Sequence, residues 1–539
     1  MAKIFIGVAW PYANGSLHLG HVAGSLLAPD IFARYHRLIG NEVLMVSGSD
    51  EHGTPITLEA EKRNMTPKEL VDYYHQEHLE CLKKLGISFD YFSRTTKESH
   101  KKVAQEFFIK LFEKGYIRSK KVGALYCQKC RRWLPDRYVE GICPYCNFET
   151  ARGDQCEKCG RIYECEELLE PKCKLCGSSP ERRETEHLFL KLSALKELLL
   201  KYLEDKKFWK ENVYKFTLNW VKELKERAIT RDIDWGIDVP LEGYRDKKLY
   251  VWFEAVIGYL SASKDWSLES GKSWEAFWKD KGAKHYYFVG KDNIPFHTVI
   301  WPAMLIAHNE LVLPYNVPAN EYLTLKGEHF SKSRGIAVWL PACLEKFDAD
   351  AIRYYLIVNM PETKDLDFSW EDFITKNNTE LVATLGNFIY RVLSFAHKNF
   401  NGIPKKGNEL DDLDNEAIRM ILNTYENVTR SLERCEFKNA LREIMALAHY
   451  GNKYIDEKAP WKMIKEDRKK CQTAIYVSCR LVKALALLLE PFLPFSAQKL
   501  QAQLGFKSKK WGDCLEDISE HKLERVEMLF KKLDKNVAS

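Results

Sequence analysis

At 539 residues the chain is too long for a single hydrophobic core, so several domains are expected. Apolar residues make up 45% and charged residues 29%, which excludes a disordered or fibrous chain, and a net charge of +6 permits a nucleic-acid partner without marking a polybasic binder. The longest apolar run, 484–497, is interrupted by Glu490, Pro491 and Pro494 and is too short to span a bilayer; with no signal-peptide pattern at the start, no membrane attachment and a cytoplasmic location are expected.

Residues 3–9 form a short apolar run rich in β-branched side chains and read as a buried strand. Turn chemistry follows at Asn14-Gly15-Ser16, then His18-Leu19-Gly20-His21, then helical spacing to Leu38 that closes at Gly40. Residues 42–48 read as a second strand, Thr66-Pro67 as a helix start, and 99–114 as an amphipathic helix, which together make half of a doubly wound sheet. From 123 to 177 cysteine, glycine, proline and charge dominate. Helical spacing is expected over 186–226, β-like runs at 249–260 and 285–289, and a helix over 294–307. A strand from Leu323 then leads into a polar loop, 326–334, and a helix over 341–360. Beyond 375 only helices are expected: 377–398, 414–434, 438–454, 471–489 and 496–503. The fold class is thus α/β, a split parallel-sheet domain with a cysteine-rich insertion and a C-terminal all-α domain.

Two imidazoles three residues apart, at the junction of a strand and a helix, face one point with a helix dipole behind them. That suits a phosphate gaining charge in a transition state. Asp50, at the end of the second strand, can receive an ammonium group. Lys332 lies in a short polar loop from which it can neutralise a leaving pyrophosphate. No Walker A pattern is present, which argues against P-loop chemistry.

Eight of the fifteen cysteines fall in four C-x2-C pairs: Cys127/Cys130, Cys143/Cys146, Cys156/Cys159 and Cys173/Cys176. Four repeated spacings point to two tetrathiolate zinc ions in a reducing compartment. The intervening loops of 12, 9 and 13 residues allow sequential pairing, as an internal repeat, or a nested arrangement. Cys165 falls outside the pairs.

The stretch Pro11-Tyr12-Ala13-Asn14-Gly15-Ser16-Leu17-His18-Leu19-Gly20-His21 resembles the HIGH signature of class I aminoacyl-tRNA synthetases, with the lead-in of the methionyl-tRNA synthetases. The likeness continues through 48–54, 252–259, 290–297, 330–333 and Ala459-Pro460-Trp461, in family order and over nearly the whole chain. It implies a Rossmann-like catalytic domain split into 1–116 and 236–322, a zinc-knuckle insertion at 117–235, a KMSKS-loop and stem-contact region at 323–375, and an anticodon-binding helical domain at 376–539. The implied reaction is activation of L-methionine with ATP and Mg2+, then transfer to tRNA(Met), initiator and elongator.

By the same resemblance, ATP is bound by His18, Gly20, His21, Asp292, Lys332 and Ser333, with His18, His21 and Lys332 catalytic. His329 and Phe330 replace the first lysine and the methionine of KMSKS. The methionine pocket is Ala9, Trp10, Tyr12, Asp50, Trp252, Ala255, Tyr259, Phe296, His297 and Trp301, and Arg231 neighbours the adenylate. The nested zinc scheme is the implied one, with closed structural sites. Asn387, Arg391 and Trp461 are the implied anticodon contacts. The resemblance also carries an expected monomer, since no further β-rich domain follows, with a separately encoded tRNA-binding partner as the alternative.

Overall fold

Alternation gives the first strand its place. In Lys3–Val8, Ile4, Ile6 and Val8 enter one apolar core while Phe5 enters another, and all four are buried. A strand apolar on both sides belongs in the middle of a parallel sheet covered on both faces. The structure, a computed structural model, describes residues 1–534 other than 154, 157, 162, 331–335 and 507–509. Its central sheet runs Pro314–Asn316, Lys284–Gly290, Lys3–Val8, Glu42–Ser49, Tyr91–Arg94, all parallel, with Ala319–Asn320 also paired to Lys284–Gly290. Strands from the first hundred residues lie to one side of Lys3–Val8 and strands from beyond residue 283 to the other. This reversal of order opens a crevice at the carboxyl end of Lys3–Val8, where such sheets bind ligands.

Between the two halves of the sheet the chain leaves on Ile117–Cys127 and returns on Glu181–Leu190, a ribbon in register from Ile117 opposite Leu190 to Tyr126 opposite Glu181. The helical spacing expected from 186 therefore begins later. Residues 186–190 complete the ribbon, whose hydrogen bonds outweigh their helical spacing, and the helices are Lys196–Glu204 and Glu211–Lys222. The β-like run expected at 249–260 is also corrected. After Lys248–Leu249 it is helical, through Val251–Glu254, a tight turn at Ala255–Ile257, and Gly258–Ser270. A buried apolar run reads alike as strand or helix, and enclosure between the sheet and Glu98–Glu113 decides it here. The helix expected over 341–360 is two, Leu340–Lys346 and Ala349–Val358, because the backbone at Phe347 and Asp348 is extended.

The C-terminal region is built from Asn387–Phe400, Asp412–Glu433, Phe437–Lys458, Arg468–Leu488 and Pro494–Gln503. Arg468–Leu488 is long and apolar enough to cross a membrane, but 89% of its apolar window is buried in the bundle, which marks a core helix. Bundle and sheet share one continuous apolar core, with Phe437 6.1 Å from Phe288. They are also joined by a fully buried ion pair. Arg353 Nη2 donates to Asp30 at 2.8 Å and to the Pro491 carbonyl at 3.0 Å, while Nε reaches the Phe492 carbonyl. Three π-helical stretches, Val22–Leu26, Phe296–Ile300 and Asn377–Gly386, each adjoin or include residues singled out above; such widened turns recur at functional sites.

Candidate active site and metal centres

His18 precedes the helix turn Leu19–His21 with an extended backbone, and the two histidines cap each other. The His18 backbone N–H donates to His21 Nδ1 at 3.1 Å, and the His21 backbone N–H donates to His18 Nδ1 at 3.3 Å. Each Nδ1 is therefore an acceptor, and in the neutral rings the hydrogen sits on Nε2, the outer nitrogen. The rings stack 3.7 Å apart, so the two Nε2–H groups form a paired donor. Gly20 is part of this geometry: a Cβ there would lie 3.0 Å from His18 Nδ1.

The distal loop arrives through backbone pairing. Leu19 N–H donates to the Val338 carbonyl and Leu340 N–H to the Leu17 carbonyl, so the segment after the 326–334 loop runs antiparallel to the histidine turn. Phe330 then stacks on His18, centroids 5.1 Å apart. Lys332 and Ser333 lie outside the described residues. Asp292 sits in a short turn, Lys291–Asn293, just beyond the end of Lys284–Gly290, the strand paired to Lys3–Val8.

Beside the crevice is an aromatic pocket. Trp252 and Phe296 stack at 3.9 Å, and Tyr12 meets Trp252 edge-on at 6.3 Å. Tyr259 faces His297, and Trp10 meets Tyr259 edge-on. Ala9 closes the strand end, its N–H on the Phe288 carbonyl, and Ala255 begins the turn between the two helical pieces. Trp10 fits because two glycines face it. A Cβ at Gly48 or at Gly258 would come within 2.6 or 2.8 Å of its ring. Trp301 stands one layer back, fully buried, donating to the Tyr287 hydroxyl at 3.0 Å.

Asp50 lies at the pocket's polar end, 4% exposed, and its Oδ1 has no hydrogen-bond partner. Burial pushes this carboxyl well above the usual carboxylate range, reinforced by the charge of Glu254 and opposed by the His52 backbone N–H and Arg137. A buried carboxylate with a vacant oxygen is suited to an incoming ammonium group. Arg137 is a site residue that sequence reading missed. It enters from the cysteine-rich insertion, its backbone N–H 3.4 Å from Thr54 Oγ1 and its guanidinium 5.8 Å from the Tyr12 ring, and its charge acts on both Asp50 and Asp292. Its position between cysteine pairs was the available signal, since it ties the insertion to the crevice. Arg231, expected near the adenylate, pairs instead with Asp136 at 3.1 Å and stacks 3.8 Å over Tyr250.

The eight cysteines form two groups, each with sulfurs within 4.8 Å of one another. Cys127 and Cys130 meet Cys176 and Cys173 at 3.5 and 3.9 Å; Cys143 and Cys146 meet Cys159 and Cys156 at 3.9 and 3.6 Å. The pairing is nested, because the returning strand Glu181–Leu190 brings the last pair back to the first. These separations match the roughly 3.8 Å edge of a tetrahedron with ~2.3 Å metal–sulfur bonds. Cys165 belongs to neither group and accepts from the Asp136 backbone N–H at 3.1 Å. In the helical region, Arg391 lies 5.5 Å over the Trp461 ring and pairs with Asp456 at 2.5 Å. Trp461 is 43% exposed, and Asn387 is exposed one turn before Arg391.

The family profile "tRNA synthetases class I (M)" matches residues 4–393, and "Anticodon binding domain of methionyl tRNA ligase" matches 403–538. The chain is 51% identical over 541 residues to a methionine–tRNA ligase of Dehalococcoides mccartyi, covering 99% of this chain and 98% of that one. It is 50% identical over 517 residues to the Thermomicrobium roseum enzyme of the same name, covering 95% and 88%. Among solved structures, Mycobacterium tuberculosis methionyl-tRNA synthetase in complex with methionyl-adenylate superposes with a TM-score of 0.82 at 26% identity, over 98% of this chain and 100% of that one.

Proposed function

This chain belongs to the class I methionyl-tRNA synthetase family, and from that premise we propose how its own residues divide the work. It is a methionine–tRNA ligase: it activates L-methionine with ATP to methionyl-adenylate and charges tRNA(Met). Asp50 receives the α-ammonium, and Trp252, Phe296, Tyr259 and His297 enclose the thioether, with Ala9, Trp10, Tyr12 and Ala255 completing the wall and Trp301 backing it. The methionine carboxylate oxygen attacks the α-phosphorus, the bond to the bridging oxygen breaks, and pyrophosphate leaves with the electron pair. His18 and His21 hold the phosphate oxygens on their Nε2–H groups, Gly20 lets the chain approach, Asp292 binds the ribose, and Lys332 and Ser333 meet the leaving pyrophosphate. ATP enters with Mg2+, which supplies further charge neutralisation on its phosphates.

The observation that carries this reading is the reciprocal capping of His18 and His21, which fixes two hydrogen donors before substrate arrives. Domains 1–116, 117–235, 236–322, 323–375 and 376–539 are the working division. Asn387, Arg391 and Trp461 are assigned to the anticodon, the two cysteine groups to structural zinc, and the enzyme to the cytoplasm as a monomer, a separate tRNA-binding partner being the alternative. ATP–pyrophosphate exchange with single amino acids tests the core assignment. Methionine alone should drive exchange, and exchange driven as well by leucine or cysteine would overturn it.

A further inference from the structure

Behind the pocket lies a buried polar network that the reaction does not itself use. Glu254, Asp50's charged neighbour, is fully buried on the short helix that also carries Trp252. Its Oε1 is 2.9 Å from His52 Nδ1 and its Oε2 is 2.7 Å from His100 Nε2, both rings being buried too. His100 Nδ1 is 2.8 Å from Ser261 Oγ, which also lies 3.1 Å from the Gly258 carbonyl. An ionised Glu254 only accepts, so His100 Nε2 donates to it, as His52 Nδ1 does. Two imidazole N–H groups thus hold the Glu254 carboxylate inside the pocket wall. Burial works against ionising Glu254, but His52 and His100 hold its carboxyl below the usual range. The remaining nearby carboxylate, Glu51, is answered separately by Arg94 Nε at 2.9 and 3.0 Å, with His75 Nδ1 at 3.7 Å.

His52 joins this pair to the substrate site, with its ring on Glu254 and its backbone N–H on the Asp50 carboxylate. We propose that Glu254 and His100 are positioning residues for methionine capture: the His100 hydrogen bond holds and answers the Glu254 carboxylate so that Asp50 can stand ionised and oriented for the α-ammonium group. Without His100 the Glu254 carboxylate loses a donor in a dry site and its charge weighs more on Asp50, which then ionises less readily. The inference rests on the assignment of Asp50 as ammonium acceptor.

The test is a double-mutant cycle read by ATP–pyrophosphate exchange on the full chain. His100→Gln should raise the methionine KM roughly 10-fold, leaving kcat and the ATP KM within about 3-fold. Adding Glu254→Gln removes the uncompensated charge and should return the methionine KM to within about 3-fold of the parent. A packing role predicts additive loss instead. A double variant as impaired as His100→Gln, or an equal fall in kcat, overturns the proposal. Should His100→Gln not yield soluble protein, Ser261→Ala removes the hydroxyl that orients the His100 ring through Nδ1. It should raise the methionine KM at least about 3-fold, again reversed by Glu254→Gln, and an unchanged KM overturns the proposal. Asp50→Asn separates the two readings: if it leaves the methionine KM unchanged, the ammonium assignment fails on its own, whatever the cycle shows.

Discussion

The Tyr259 hydroxyl donates to His297 Nε2 across 2.7 Å, and this direction is forced. His297 Nδ1 is 2.9 Å from the Asn293 carbonyl, which only accepts, so the ring's hydrogen is at Nδ1. Burial pulls His297 down to about 4, which leaves Nε2 bare and able to take the phenol's hydrogen. Tyr259 thus turns lone pairs, not a hydrogen, towards the pocket. Tyr259→Phe strands a buried acceptor on His297, which costs about 1–3 kcal/mol of stability. It should raise the methionine KM roughly 10-fold with kcat little changed. A KM equal to the parent's in exchange assays would remove Tyr259 from the pocket's polarity.

Acid should weaken the fold through histidines of this kind. His36, His285 and His297 are each held near 4 by burial, against about 6.5 when free. Below about 6.5 the unfolded chain takes up protons that the folded chain refuses. Their contribution is therefore whole above that pH and is lost as pH falls towards 4. Melting at pH 5.0 should occur several degrees below melting at pH 7.5, and a flat Tm across this window contradicts it.

His21→Ala removes one of the two Nε2 donors and uncaps the His18 backbone N–H. Adenylate formation should slow ~10²–10³-fold in single-turnover assays, with methionine affinity within about 3-fold. A loss confined to affinity would place His21 outside the chemical step.

Metal analysis should find two zinc ions per chain. Cys127→Ser and Cys173→Ser should each lose the same ion, and Cys143→Ser and Cys156→Ser the other, in keeping with the nested sulfurs. Native mass spectrometry reads this directly. Loss of one shared ion by the Cys127 and Cys143 variants would break the scheme.

Trp461 is half-exposed beneath Arg391, and Arg391 is held by Asp456, so a base can stack on an indole already oriented. Trp461→Ala should cost ~1–3 kcal/mol of tRNA recognition, with methionine activation and Tm near the parent's. Unchanged tRNA charging, or an unfolded bundle, would end the anticodon assignment at this residue.

Arg353→Met should destabilise by about 3–5 kcal/mol, since it takes from buried Asp30 its fully buried partner, leaving Arg34 as the remaining ion pair, and strands the Pro491 and Phe492 carbonyls. Asp30→Asn with Arg353→Met should recover part of that loss in denaturant unfolding. A purely additive pair would show that the two charges do not interact.

The sequence by itself determined what is local. Cysteine pairs three apart, histidines three apart, a proline after an N-cap threonine and an apolar first strand are each set by their own neighbours, and each is present in the fold. Resemblance then supplied the family and the residues proposed for the pocket. Only the tertiary structure decided what depends on distant segments meeting. Which cysteine pairs share a metal followed from a ribbon that brings residue 173 back to residue 127, 46 positions along the chain by number. The helix at 251–270 followed from enclosure, because a run buried on all sides carries no period to read. Arg137, whose charge acts on Asp50, and His52 and His100 on the Glu254 carboxylate come from separate segments of the chain. Charges in a dry interior act through space, and no spacing along the chain encodes that separation.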